Sequence, residues 1–227
     1  LEDSTFTSKD VIALSKDMIF VRAEAKKDTV MADRFAIAGF PTIVLMKSTG
    51  EEIDRIYGYL PDSEFVSTIQ AYLQGKETLE DMENRFQKDS TDVELATKLA
   101  DKYEARRSYD KAALCYQKVV ALDPENKKGK SKDALFNLAW LEIRRKDYLK
   151  AVDVFNDFLE KYPKDEMAED AEKYIPYSYA QAGDTAKALE LFQKFLTDHP
   201  SSADTAWVKE RIKQLTPEEP ADSSQAP

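Results

Sequence analysis

The 227 residues include one cysteine and one histidine, so the search for chemistry is short. Cys115 lies between Leu114 and Tyr116 in a helical pattern, where a free thiol packs as a small hydrophobe. His199 precedes Pro200 at a helix end, and the sequence places no serine, cysteine or carboxylate beside it. Single copies of these residues exclude most metal centres, which need three or four converging ligands. A lone cysteine likewise cannot form an internal disulfide. No metal and no cofactor is expected.

The elements that would have to position a site fall into two patterns. From about residue 92 the chain repeats itself. Lys111-Ala112, Lys150-Ala151 and Lys187-Ala188 each open a helix with an aromatic four residues after the alanine (Tyr116, Phe155, Phe192) and a proline twelve residues after it (Pro124, Pro163, Pro200). Twelve residues before Ala112 and Ala151 stand Ala100 and Ala139, each preceded by leucine, as close antiparallel helices require. In the third copy that place is Pro176, which removes a helical hydrogen bond, and a bend is expected between Tyr174 and Tyr177. Residues 203 to 215 read as one more amphipathic helix covering the last pair. These features fit the tetratricopeptide pattern, and the region resembles that family. The fold expected over residues 92–215 is therefore an all-α tetratricopeptide-repeat solenoid of three helix pairs with a cap.

Before the repeats, strand and helix alternate. Residues 10 to 17 suit a short helix, Met18 to Glu24 a buried strand, and Thr29 to Ala36 a helix. A second strand follows from Ile43 to Met46, a turn at Ser48-Thr49-Gly50, a third strand from Glu52 to Tyr57, and a helix opened by Pro61 that runs to Leu73. On Leu1-Glu2-Asp3-Ser4-Thr5-Phe6, Ile19-Phe20-Val21, Gly39-Phe40-Pro41-Thr42, Gly50 and Gly58-Tyr59, residues 1–75 resemble the thioredoxin superfamily, and more narrowly the bacterial thiol:disulfide interchange type. The resemblance implies an α/β thioredoxin-like domain, a cis bond before Pro41, and substrate binding by Phe40 and Pro41. It places the redox Cys-x-x-Cys just upstream of the residues matching Leu1-Glu2, so no catalytic residue is expected in these 227 residues and an upstream segment is expected in the parent. It also implies that the strand before that motif lies between those matching Ile19–Ala23 and Ile43–Met46, so the domain is partial, with its first core strand and its Cys-x-x-Cys absent. Without that strand, buried backbone groups on both neighbours are left unpaired.

Residues 76–91 read as a connecting helix with Leu79, Met82 and Phe86 on one stripe. Residues 216–227, rich in proline, serine and acids, read as disordered. The formal net charge of −10 excludes nucleic acid as a partner. The basic cluster Lys127, Lys128, Lys130 and Lys132 reads as a solvated loop. No apolar run is long enough to span a bilayer.

Tetratricopeptide repeats hold a protein or peptide along the side lined by the first helix of each pair. Helical spacing from Ala139 and from Tyr179 puts Phe136, Asn137, Trp140 and Arg144, then Lys173, Tyr174 and Tyr177, on that side. Aromatic residues and arginine often dominate interfaces, although Phe136 and Trp140 could equally fill space between helices. The ends Lys161-Tyr162-Pro163-Lys164-Asp165 and Asp198-His199-Pro200-Ser201-Ser202 resemble repeats of bacterial envelope assembly factors, which implies a periplasmic or envelope setting. The function expected is a protein-interaction module joined to a thioredoxin-like domain, the parent being a thiol-disulfide oxidoreductase of the bacterial envelope. The alternative is a non-enzymatic scaffold.

Overall fold

A computed structural model describes residues 5–24 and 26–216. It resolves into two compact units, residues 1–124 and 125–227. The proposed tail at 217–227 lies outside the described residues.

The first unit opens with a short 3-10 turn at Thr5–Thr7, then α1 (Lys9–Leu14), α2 (Thr29–Arg34), β1 (Thr42–Met46), β2 (Glu52–Tyr57) and α3 (Asp62–Leu73). β1 and β2 pair antiparallel, Ile43 opposite Ile56 and Leu45 opposite Asp54, across a turn in which Gly50 takes a φ of +84°, a conformation that favours glycine. Ile43, Leu45 and Ile53 lay one face of this ribbon on a cluster of Val11, Ile56, Phe65, Ile69 and Tyr72. Each such aliphatic or aromatic side chain contributes about 1.5–3 kcal/mol when withdrawn from water. The Phe40–Pro41 peptide bond is cis.

The strand expected at Met18–Glu24 does not form. Residues 19–24 carry no helix, turn or bridge, and the described sheet has two strands only. The composition supplies a strand's alternation: Met18 packs on the core cluster and Phe20 meets the edge of Phe6, while Ile19 and Val21 are 92% and 80% exposed. Alternation alone does not satisfy the backbone, which needs a neighbour to hydrogen-bond.

The unit continues through α4 (Leu79–Lys88), α5 (Val93–Glu104) and α6 (Tyr109–Leu122). Thr78 and Asp92 cap α4 and α5 by accepting from Asp81 and Leu95 amides, which satisfies otherwise orphaned helix donors. Ala96, Ala100 and Ala112 are fully buried and let α5 and α6 approach closely. A buried ionic network ties β2 to these helices. The Asp54 carboxylate accepts from the Leu79 amide (2.5 Å), Lys102 Nζ (2.9 Å) and Arg106 Nη2 (2.6 Å). Arg55 pairs with Glu52 (2.6 Å) and donates through Nη1 to the carbonyls of Phe35 (2.8 Å) and Ala105 (3.0 Å). Burial pushes the Asp54 carboxyl up, but the neighbouring Lys102 and Arg106 outweigh it and hold it below the usual carboxylate range.

The second unit contains α7 (Ser131–Arg144), α8 (Tyr148–Lys161), α9 (Ala168–Gln181), α10 (Thr185–Asp198) and α11 (Thr205–Leu215). Each helix packs on the next. Ala139, Ala151 and Ala188 are 0% exposed, as are Phe155 and Phe192, so the small residue and the aromatic of each copy fill the contacts that the spacing assigned to them. Pro176 sits inside α9, which stays helical through it. Val208 of α11 is fully buried against Ala188, Phe192 and Phe195, giving the last pair the cover a repeat needs.

Candidate partner-binding groove

Three alternate helices of the second unit, α7, α9 and α11, present a row of aromatic rings. Asn137, Trp140 and Arg144 share a face of α7 by the three- and four-residue steps of a helix. The Trp140 ring lies 4.2 Å from that of Tyr174, edge on. Tyr174 reaches Tyr177 at 6.0 Å and Trp207 at 6.0 Å, and Tyr177 lies 6.2 Å from Trp207. All four rings are half-buried, so each keeps surface available. They lie within the range at which aromatic pairs attract edge to face or offset.

Two cations stand beside this row. Lys173 is buried and its ammonium bonds Asp170 of its own helix (2.6 Å) and Asp204 at the start of α11. It also stands 4.9 Å from the Tyr174 ring centre. Burial pushes its pKa down, yet Asp170 and Asp204 outweigh that and leave it raised. Arg211 lies 5.0 Å over the Trp207 ring. The row is thus an aromatic surface beside which Lys173 is held by two carboxylates and Arg211 lies against a ring.

The seven residues that the spacing assigned to this side part company. Trp140, Tyr174 and Tyr177 form the row, and Asn137 and Arg144 are exposed. Phe136 is 8% exposed and meets Phe155 at 5.7 Å and Phe158 at 5.2 Å, so it fills the space between α7 and α8. Lys173 is an internal tie between α9 and α11. Trp207 and Arg211 complete the row although sequence reasoning did not select them, because α11 had been assigned only to capping. A tryptophan and an arginine four residues apart were the available signal.

In the first unit Phe40 is 68% exposed, with Tyr57 and Tyr59 also at the surface, and Pro41 is exposed. Gly39 packs so closely beneath Tyr57 that a Cβ there would lie 2.4 Å from the Tyr57 hydroxyl. Cys115 is buried, and desolvation raises its thiol to about 11, away from nucleophilic chemistry. His199 caps the end of α10, and its Nε2 hydrogen-bonds the Glu172 carboxylate of α9 while Nδ1 lies 3.7 Å from Glu169, carboxylates that the sequence alone did not place beside it. A hollow of about 320 Å³ between α8, α9 and α10 is lined by Leu159, Ile175, Pro176 and Leu191 and by Glu172, Lys187, Lys194 and Asp198, with Lys194 paired to Asp198 and Lys187 to Glu190. Among the described residues no cluster could hold a metal ion, and no helix is long and apolar enough to cross a membrane.

Comparison with known proteins finds likenesses to two regions of the chain. Residues 3–73 match the thioredoxin-like domain family, and residues 128–209 match the YfiO family, described as outer membrane lipoprotein. No curated protein sequence matches the chain. Among solved structures, a putative kinesin light chain of Podosopora anserina with nearly identical TPR-like repeats superposes with a TM-score of 0.50 at 13% identity, over 67% of this chain and 83% of that one. MamA from RS-1, an ArsTM double mutant, gives 0.49 at 17% identity over 67% and 82%. MamA from AMB-1 gives 0.47 at 23% identity over 65% and 75%. Residues 3–73 are thus similar to thioredoxin-like domains, and the helices that follow share the fold of tetratricopeptide-type repeats.

Proposed function

We propose that this chain is the partner-holding portion of a thiol-disulfide oxidoreductase of the bacterial cell envelope. In this reading the row Trp140, Tyr174, Tyr177 and Trp207 holds a protein or peptide, and Phe40 and Pro41 of the thioredoxin-like domain bind the segment of substrate that reacts. The observation that carries it is the half-buried aromatic row, because rings with free surface and no apolar cover are the anchors interfaces use. The thioredoxin-like match at residues 3–73 supports the redox part. The match of residues 128–209 to an outer membrane lipoprotein family supports the envelope setting.

These 227 residues hold one cysteine, and it is buried, so the dithiol must come from elsewhere in the parent. That same fact favours a second reading, in which the thioredoxin-like domain is redox-inactive and the protein is a scaffold. The coding sequence upstream of Leu1 separates the two, together with an assay of the extended protein for reduction of a protein disulfide. A Cys-x-x-Cys and activity that falls on Phe40→Ala through a raised KM support the oxidoreductase. A protein without that motif and without activity is the scaffold.

A further inference from the structure

The aromatic row of the second unit has a cationic edge. Arg144 follows Trp140 by four residues and Arg211 follows Trp207 by four, so each stands one turn beyond its tryptophan. Successive helices joined by short turns run antiparallel, so α7, α9 and α11 run parallel and both arginines lie on the side where α11 ends. Arg144 is exposed and Arg211 half-buried, the latter bonded to the neutral Gln214 side chain (2.8 Å). One turn the other way, Asp170 and Asp204 are already held by Lys173.

We infer that residues 217–227 dock along this row in cis, so that a partner must displace them to bind; the inference rests on the reading of the row as a binding surface. The segment follows α11 directly and lies outside the described residues. Its sequence holds Glu218, Glu219 and Asp222, no lysine or arginine, and prolines at 217, 220 and 227. The carboxylates match the arginine edge. Proline-rich segments suit aromatic-lined grooves, because their extended conformation is preformed and little order is lost on binding. The reach suffices. Leu215 ends α11 about 12 Å along the helix from Trp207, and α7 lies two helix spacings away, about 20 Å. The longest route back to Trp140 is therefore about 32 Å, and eleven residues in an extended proline-type helix span about 34 Å. A tethered segment has an effective concentration in the millimolar range, so at about 2 mM even a weak affinity of about 0.2 mM for the free peptide fills roughly nine rows in ten.

The chain has two tryptophans, and both stand in the row, so acrylamide quenching of intrinsic fluorescence reports on its cover with no partner present. The 227-residue chain is compared at low micromolar concentration with the same chain carrying Glu218→Lys, Glu219→Lys and Asp222→Lys, and with the chain ending at Thr216. Quenching is expected to rise about twofold in both altered chains, and to rise in the native chain as salt screens the arginine edge. A synthetic peptide of residues 217–227, added at about millimolar concentration, restores protection to the shortened chain. Equal quenching in all three chains overturns the inference. So does protection of the native chain that disappears on dilution, since a second copy then supplies the segment. Partner adducts formed at Asn137 by photo-crosslinking, with quenching the same in all three chains, leave the groove standing and remove only the cis contact, so the two readings fail separately.

Discussion

Replacing Asp54 by asparagine removes the anion from the buried network and leaves its cations in place. The Asp54 side chain is fully buried, and its partners Lys102 and Arg106 are 12% and 14% exposed. Asparagine keeps the shape but presents a donor where a donor already points. Breaking a buried ion pair from one side costs about 3–5 kcal/mol, because the stranded charge keeps its desolvation penalty. Arg106 retains Glu52 at 2.9 Å, so the lower end of that range is expected. At roughly 2–4 °C per kcal/mol for a chain of this size, the Tm falls by about 6–12 °C. Urea unfolding followed by circular dichroism at pH 7 measures the loss directly. Lys47→Ala breaks an exposed pair with Glu51 and serves as the control that leaves the midpoint in place. A loss below about 1 kcal/mol for Asp54→Asn, the level of a surface pair, would refute the assignment of the network as the joint between β2 and the helices.

The same carboxylate makes stability depend on acidity. Its pKa is lowered in the folded state, so its contribution is complete above the ordinary carboxylate range and is lost as pH falls through the folded-state value. Denaturation profiles from pH 7 to 3 should therefore drop more steeply for the native chain than for Asp54→Asn. Phe192→Ala, at a fully buried ring, costs about 3–5 kcal/mol in thermal or urea unfolding, and a loss under 1 kcal/mol contradicts the packing of α10 against α9 and α11. Cys115 stays unmodified by an aromatic disulfide reagent at pH 8 in the folded protein and reacts in denaturant; rapid modification without denaturant contradicts its burial.

The repeats were legible because their determinants are local. An alanine, an aromatic four residues on and a proline after the helix recur in three places, and Ala112, Ala151 and Ala188 are each fully buried. Strand Glu52–Tyr57 and helix Asp62–Leu73 were legible for the same reason. Met18–Glu24 was misread because a strand is defined by its neighbour, and apolar alternation says nothing of whether one is present. Helical spacing named Trp140, Tyr174 and Tyr177, whose rings meet in the aromatic row. The fate of Lys173 was not legible, since its second carboxylate, Asp204, lies 31 residues away. Trp207 was missed because a capping helix was not expected to extend the row. Asp54 and Arg106, 52 residues apart, left no mark in either pattern.

The groove itself is tested most directly by site-specific photo-crosslinking in cells, with the photoreactive side chain placed at Asn137 beside Trp140 or at exposed Leu149 on α8. Discrete protein adducts are expected at position 137, absent at 149, and lost when Tyr177→Ala and Trp207→Ala are introduced together in a chain whose circular dichroism is unchanged. Adducts that form equally at both positions, or that persist without the two rings, contradict a partner-binding groove on α7, α9 and α11.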